Sequence, residues 1–143
     1  MHVLRQIHKA LRPGGVLLDI HPQPKDVRIE VVSANRSTPI GTLDGSEDHH
    51  SIRKARKRLL AVQREGPFRL EGRRTFDLRI YHESVEAWLE FHRDQGYGCI
   101  SELPPEVLRR TRRALRSEGG EIVLIEPVRA SALIRIAVES NPS

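Results

Sequence analysis

The sequence predicts a mixed α/β fold in a single domain. In some segments apolar residues recur every three or four positions, as on one face of a helix, and in others they alternate, as on one face of a strand. Glycine and proline pairs separate these segments, and no stretch reads as a linker between domains. The chain has 143 residues, of which 38% are apolar, so it has the size of one ordinary domain.

The first predicted unit is a helix, a turn and a strand. The helix covers residues 2–11, and its apolar stripe consists of Val3, Leu4, Ile7 and Leu11. Pro13–Gly15 ends the helix, and residues 16–20, with the sequence VLLDI, follow as a strand. Because this strand has no polar residue before Asp19, we expect it in a sheet that is covered on both sides.

A hairpin and a long helix are predicted next. Residues 27–32 alternate between apolar and charged side chains, as in a half-buried strand, and residues 39–43 are the expected partner across a turn. A helix of about twenty residues then follows the capping residues at 44–48. Its expected buried stripe consists of Ile52, Ala55, Leu59 and Val62.

Another strand and a capped helix are predicted over residues 74–95. The strand covers 74–81, and the spacing of Phe76 within it indicates a core position. Ser84 is the expected N-cap of the helix that follows. The expected buried face of that helix consists of Val85, Trp88, Leu89 and His92.

The last part of the chain predicts a helix and a closing hairpin. Pro104 and Pro105 open the helix, and two glycines after residue 118 close it. Its expected buried residues are Leu108, Thr111 and Leu115. The extended runs at 121–127 and 131–139 are interpreted as the two strands of an antiparallel hairpin.

Composition limits the classes of function. Lys and Arg total 24 against 19 for Asp and Glu, and the formal charge of +5 permits contact with acidic ligands without requiring it. The single Cys99 cannot form an internal disulfide, which favours a reducing, cytoplasmic setting. The N-terminal segment is charged throughout, so we expect neither a signal peptide nor a membrane span.

The segment at 8–20, with the sequence HKALRPGGVLLDI, resembles the helix, Pro-Gly-Gly turn and fifth strand of class I S-adenosylmethionine-dependent methyltransferases. The resemblance implies a partial Rossmann-like sheet, in which later segments supply the sixth strand and an antiparallel seventh strand tucked beside the fifth. The hairpin at 27–43 is then an insertion near the substrate side. Residues 1–143 would form a single, incomplete methyltransferase-like domain.

The cofactor-binding elements of that family are not found in this sequence. The family holds the methionine part of the cofactor on a glycine-rich turn after its first strand, and the ribose on an acidic residue that ends the second. Gly14–Gly15 and Gly119–Gly120 each follow a helix and precede a strand, which is the opposite order. The resemblance therefore implies a parent activity of methyl transfer to an unidentified acceptor. By itself, this chain is expected neither to bind S-adenosylmethionine nor to methylate a substrate.

The prediction about partners depends on the strand at 16–20. In the family placement it would lack its neighbouring fourth strand and would form an exposed apolar edge, which recruits partners or aggregates. We expect either a reading frame that extends upstream of Met1, or an edge that a second copy or another chain covers.

Asp19 and His21 are the candidate substrate-binding residues. They stand at the carboxyl end of the predicted strand, where open α/β sheets bind ligands. His21 would act as a base near the methyl acceptor, or it simply opens a proline-rich loop. Asp19 would orient His21 or a substrate amine, or it lies in water at the strand end. No catalytic residue is identified.

Other clusters have simpler interpretations. His49 and His50 beside Glu47 and Asp48 do not predict a metal site, because adjacent histidines point in different directions on a helix. The basic runs at 53–58 and 109–116 alternate with core residues, so we interpret them as solvated helix faces. Aromatic residues are only 4% of the chain, and nucleic-acid binding is not favoured. The alternative function is a non-catalytic interaction module, either an adaptor that completes a partner's sheet or a basic binder of nucleic acid.

Overall fold

The computed structural model describes residues 2–64, 66–94 and 103–136, and this part of the chain contains four helices and five strands. The helices are α1 (His2–Ala10), α2 (Ser46–Arg64), α3 (Val85–Asp94) and α4 (Pro105–Glu118). The strands are β1 (Val16–Pro22), β2 (Val27–Ser33), β3 (Arg36–Leu43), β4 (Phe68–His82) and β5 (Glu121–Arg135). The predicted α/β class is confirmed, and every pair of neighbouring strands is antiparallel.

Strand β5 is the centre of the sheet. On one side β4 pairs with it along its full length, from Phe68 opposite Arg135 to His82 opposite Ile122. On the other side β2 pairs with the first part of β5 and β1 with the second part. Among the described strands, β3 pairs with β2 alone. The order β1–β5–β4 therefore places β5 between two strands that are parallel to each other.

The predicted closing hairpin is wrong, because residues 121–135 form one strand. Residues 128–130, which the sequence analysis took as the turn, pair with β1 and β4 at the same time. This segment contains no glycine or asparagine that would favour a turn, and ladders on both sides hold it extended. Residues 137–139 of the expected hairpin lie outside the described residues.

One core cluster lies between helices α3 and α4 and the first half of β5. It includes Ile29 and Val31 of the predicted hairpin, and Trp88, which is only 1% exposed. The N-cap prediction holds, since the backbone N–H of Ala87 donates to the Ser84 hydroxyl at 3.0 Å. The buried Thr111 hydroxyl donates to the carbonyl of Val107 at 2.8 Å, so this polar group is satisfied.

A second core cluster lies between α1, α2 and the second half of β5. Its members are Leu59, Phe68 and Leu133, with Leu4, Ile7, Leu11 and Leu17 packed against them. Three residues of the predicted stripe of α1, Leu4, Ile7 and Leu11, are therefore partly buried here, whereas the fourth, Val3, is 65% exposed. Leu133 lies nine positions from Leu124 of the first cluster, so the two clusters use opposite faces of β5. Helix α2 contributes to both regions, since Ile52 lines a cavity beside Leu124 and Leu59 packs with Leu133.

Part of the sheet is uncovered, which corrects three expectations. Val16, Leu18 and Ile20 are 55–59% exposed on one face of β1, so this strand is not covered on both sides by the described residues. Phe76 is 46% exposed on β4 and is not a core residue. Ala55 is exposed as well, so it does not belong to the buried stripe of α2. The side chain of Val62 lies outside the described set.

Candidate functional site

The structure brings Asp19 and His21 together at the end of β1. The His21 Nδ1 and the Asp19 Oδ2 are 2.8 Å apart, and the two side chains are 20% and 27% exposed. This geometry favours the alternative in which Asp19 orients His21. With Nδ1 donating to the carboxylate, Nε2 is left as the ring atom that can accept a proton.

Asp19 and His21 belong to a group of polar side chains on one face of the sheet, which we call the polar block. Its six members are Asp19, His21, Arg73, Thr75, Arg129 and Ser131. In the ladder, Ser131 lies between Asp19 and Arg73, and Arg129 lies between His21 and Thr75. Side chains directly opposite on neighbouring antiparallel strands are in contact distance, so the block is continuous.

The centre of the polar block is buried and incompletely paired. Ser131 is 1% exposed, and its hydroxyl has no hydrogen-bond partner among the described residues. The Nε of Arg129 is also buried without a partner there. Burial lowers the pKa of Arg129, and the nearby guanidinium groups of Arg56 and Arg73 lower that pKa further.

An apolar cavity of about 120 Å³ lies on the other side of the β1 terminus. Its apolar walls are Leu43, Ile52, Ile80, Trp88, Phe91 and Leu124, and its polar lining groups are Gln23, Lys25, His49, His92 and Glu126. Because side chains alternate along a strand, Pro22 borders this cavity and His21 does not. A cavity of this size holds roughly one small ring or branched aliphatic group.

His49 lines the cavity from the first turns of α2. Its side chain is 16% exposed, and its Nε2 lies 4.0 Å from the Asp26 carboxylate, beyond hydrogen-bond distance. This position differs from the fully solvated helix start that the sequence suggested. Within the described ranges, no group of three or more His, Cys, Asp or Glu side chains is arranged to hold a metal ion. Cys99 lies outside those ranges.

The two basic helix faces point to solvent. On α2 the exposed cations are Arg53, Lys54, Arg56, Lys57 and Arg58, and on α4 they are Arg109, Arg110, Arg112, Arg113 and Arg116. Two of the α4 arginines contact carboxylates, since Arg109 pairs with Glu106 and Arg112 lies 3.6 Å from Glu86. Among the described helices, none is both long and apolar enough to cross a membrane.

Sequence reasoning missed most residues of both sites. Arg129 interrupts an apolar run, which is a visible signal, but its segment was interpreted as a turn. Lys25 and Trp88 meet at the cavity only because β5 holds distant segments side by side. No protein-family model, no curated protein and no solved structure matches this chain.

Proposed function

We propose that the chain is the substrate-side, C-terminal portion of an S-adenosylmethionine-dependent methyltransferase-like protein, and that it is inactive alone. The observation that supports this proposal is the strand order β1–β5–β4, with β5 antiparallel to both neighbours. The family resemblance assigns these three strands as the fifth, seventh and sixth strands of its sheet. In that assignment the last strand inserts beside the first, an order that local sequence patterns do not dictate.

The free edge of β1 also supports the proposal. Among the described residues β1 pairs only with β5, although its exposed face carries Val16, Leu18 and Ile20. An apolar edge strand is a template for pairing with another strand. In the proposed protein, the strands and helices of the cofactor-binding half cover this edge and the adjoining open face.

The described residues do not fit S-adenosylmethionine. A Cβ on Gly120 would meet the backbone oxygen of Val32 at 2.2 Å, so this glycine serves close packing of two chain segments. Gly14 stands in the turn between α1 and β1, with φ of +75°. Neither glycine pair belongs to a strand–turn–helix unit. We therefore derive no catalytic step through the cofactor.

In the proposed protein, the methyl acceptor would contact the apolar cavity and the Asp19–His21 pair. The cavity would hold an apolar part of the methyl acceptor, with Lys25 and His49 among its polar lining groups. His21, oriented by Asp19, would accept a proton from a part of the acceptor that extends past the end of β1 to the other face of the strand. The acceptor itself is not identified by these residues.

Calorimetry of the chain with S-adenosylmethionine tests the proposal. We expect no binding heat, and micromolar affinity for the isolated chain would contradict the half-domain assignment. The nucleotide sequence upstream of Met1 supplies the positive test. We expect an in-frame glycine-rich strand–turn–helix there, and its absence would argue for a different origin.

The free β1 edge also favours a second candidate, an adaptor that completes the sheet of another copy or chain. In sedimentation, self-association should weaken in Leu18→Lys, because this leucine is 59% exposed on the edge strand. Val3→Lys is a matched control, since Val3 is 65% exposed on helix α1 and not on an edge strand. A monomer at every concentration would contradict the self-association form of the adaptor. Nucleic-acid binding through the basic helices instead predicts affinity that falls steeply with salt.

A further inference from the structure

Three arginines converge on the polar block. Arg129 projects from the centre of the sheet, and Arg73 stands diagonally across from it on β4. Arg56 of α2 is close enough to lower the pKa of Arg129 by charge repulsion, as Arg73 does. The three guanidinium groups therefore come from three different elements and approach one region.

The described residues do not balance the positive charge of these three arginines. The carboxylate of Asp19 is the acidic group of the block, and it is already bonded to His21 at 2.8 Å. Charge repulsion from Arg56 and Arg73 acts on Arg129, and within the described ranges none of these three arginines forms a salt bridge with a carboxylate. Like charges held together in a partly buried site destabilise a fold unless a counter-charge binds.

Two buried groups in the same place have unused hydrogen-bonding capacity. They are the Nε of Arg129 and the hydroxyl of Ser131, and neither has a partner among the described residues. Ser131 is directly opposite Arg73 in the β4–β5 ladder, and Arg129 lies two positions before it on β5. Buried donors are nearly always paired in native proteins, so these two indicate a missing acceptor.

We propose that Arg73, Arg129 and Ser131 bind the phosphate group of a small phosphate monoester, and that the nearby Arg56 adds positive charge to the site. Such a group is a tetrahedral dianion, and arginine forks bind phosphate oxygens in pairs. Two guanidinium forks and a hydroxyl offer more hydrogen bonds than the roughly four that the two oxygens of a carboxylate accept. The site is independent of the methyltransferase proposal, because it rests on none of the family's motifs.

Calorimetry with inorganic phosphate tests the site, with chloride used to keep the ionic strength constant. Arg129→Gln should weaken phosphate binding about tenfold or more, because charged hydrogen bonds are lost. Arg56→Gln should also weaken it, and this exposed residue can be replaced without disturbing the core. Arg110→Gln, an exposed arginine of α4, removes the same charge elsewhere and should leave the affinity within about twofold.

Two outcomes would overturn the site. One is no phosphate binding above the chloride background, and the other is equal weakening by Arg110→Gln and Arg129→Gln. Competition separates the sources of the phosphate group. Glycerol phosphate should displace inorganic phosphate. Displacement only by an oligothymidylate without terminal phosphates would overturn the monoester assignment. It would instead assign the bound phosphate to a nucleic-acid backbone. S-adenosylmethionine enters none of these measurements, so their failure is separate from failure of the proposed function.

Discussion

Replacing Gly120 by alanine should destabilise the fold strongly. Gly120 joins α4 to β5 with φ of +95°, a left-handed conformation that costs an alanine roughly 1–2 kcal/mol. The new Cβ would also lie 2.2 Å from the Val32 oxygen and 2.9 Å from the Ser33 Cα. Val32 ends the β2–β5 ladder opposite Glu121, so relief of the overlap pulls this ladder apart. Loss of a backbone hydrogen bond adds about 1 kcal/mol, and we expect a total of about 2–3 kcal/mol.

Urea denaturation of Gly120→Ala and of Gly14→Ala separates the two contributions. Gly14 has φ of +75°, but a Cβ there meets nothing within 4 Å. Its replacement should therefore cost only the conformational part, about 1–2 kcal/mol. The steric reasoning is refuted if the two variants lose the same free energy of unfolding, or if Gly120→Ala unfolds like the wild type.

The remaining predictions concern the core, a buried histidine and a helix cap. Trp88→Ala should lower the free energy of unfolding by about 3–5 kcal/mol in urea titrations, whereas the half-exposed Phe76→Ala should lower it by about 1 kcal/mol or less; similar losses would contradict the burial difference. Burial lowers the pKa of His82 below its ordinary value of 6.5, so the unfolded chain binds protons more readily and stability should fall as the pH drops from 6.5 towards the lowered pKa. His82→Gln should reduce this fall in pH-dependent denaturation, and the exposed His50→Gln should not. Ser84→Ala should cost about 1 kcal/mol through the lost N-cap, and a thermal melt unchanged from wild type would contradict that role.

Much of the secondary structure could be predicted because its signals are local. The stripe of α1, the cap of α3 at Ser84, and the proline and glycine limits of α4 each lie within a few residues of the element they define. The alternation over residues 27–32 likewise predicted the buried side of β2, where Ile29 and Val31 enter the core. Periodicity and capping act over one or two turns, so one sequence contains this information.

Predictions failed where distant segments decide the conformation. Residues 128–130 stay extended because β1 and β4 pair with them from both sides. Phe76 has the alternation of a core residue, but the described chain supplies no element that packs over it. Alternation shows which residues share a face, and only the packed structure shows whether that face is covered.

The sequence by itself determined the α/β class and most helices and strands, and it placed Asp19 and His21 near the carboxyl end of the strand that follows Gly15. The structure extends that strand to Pro22, so both side chains lie on one face of it. The tertiary structure decided the strand order β1–β5–β4, the open face of β1 and the convergence of Arg56, Arg73 and Arg129. The physical reason is the separation along the chain over which each kind of interaction acts. Backbone preferences act between neighbours in the chain, whereas strand pairing and charge clustering join groups whose separation in sequence carries no local signal.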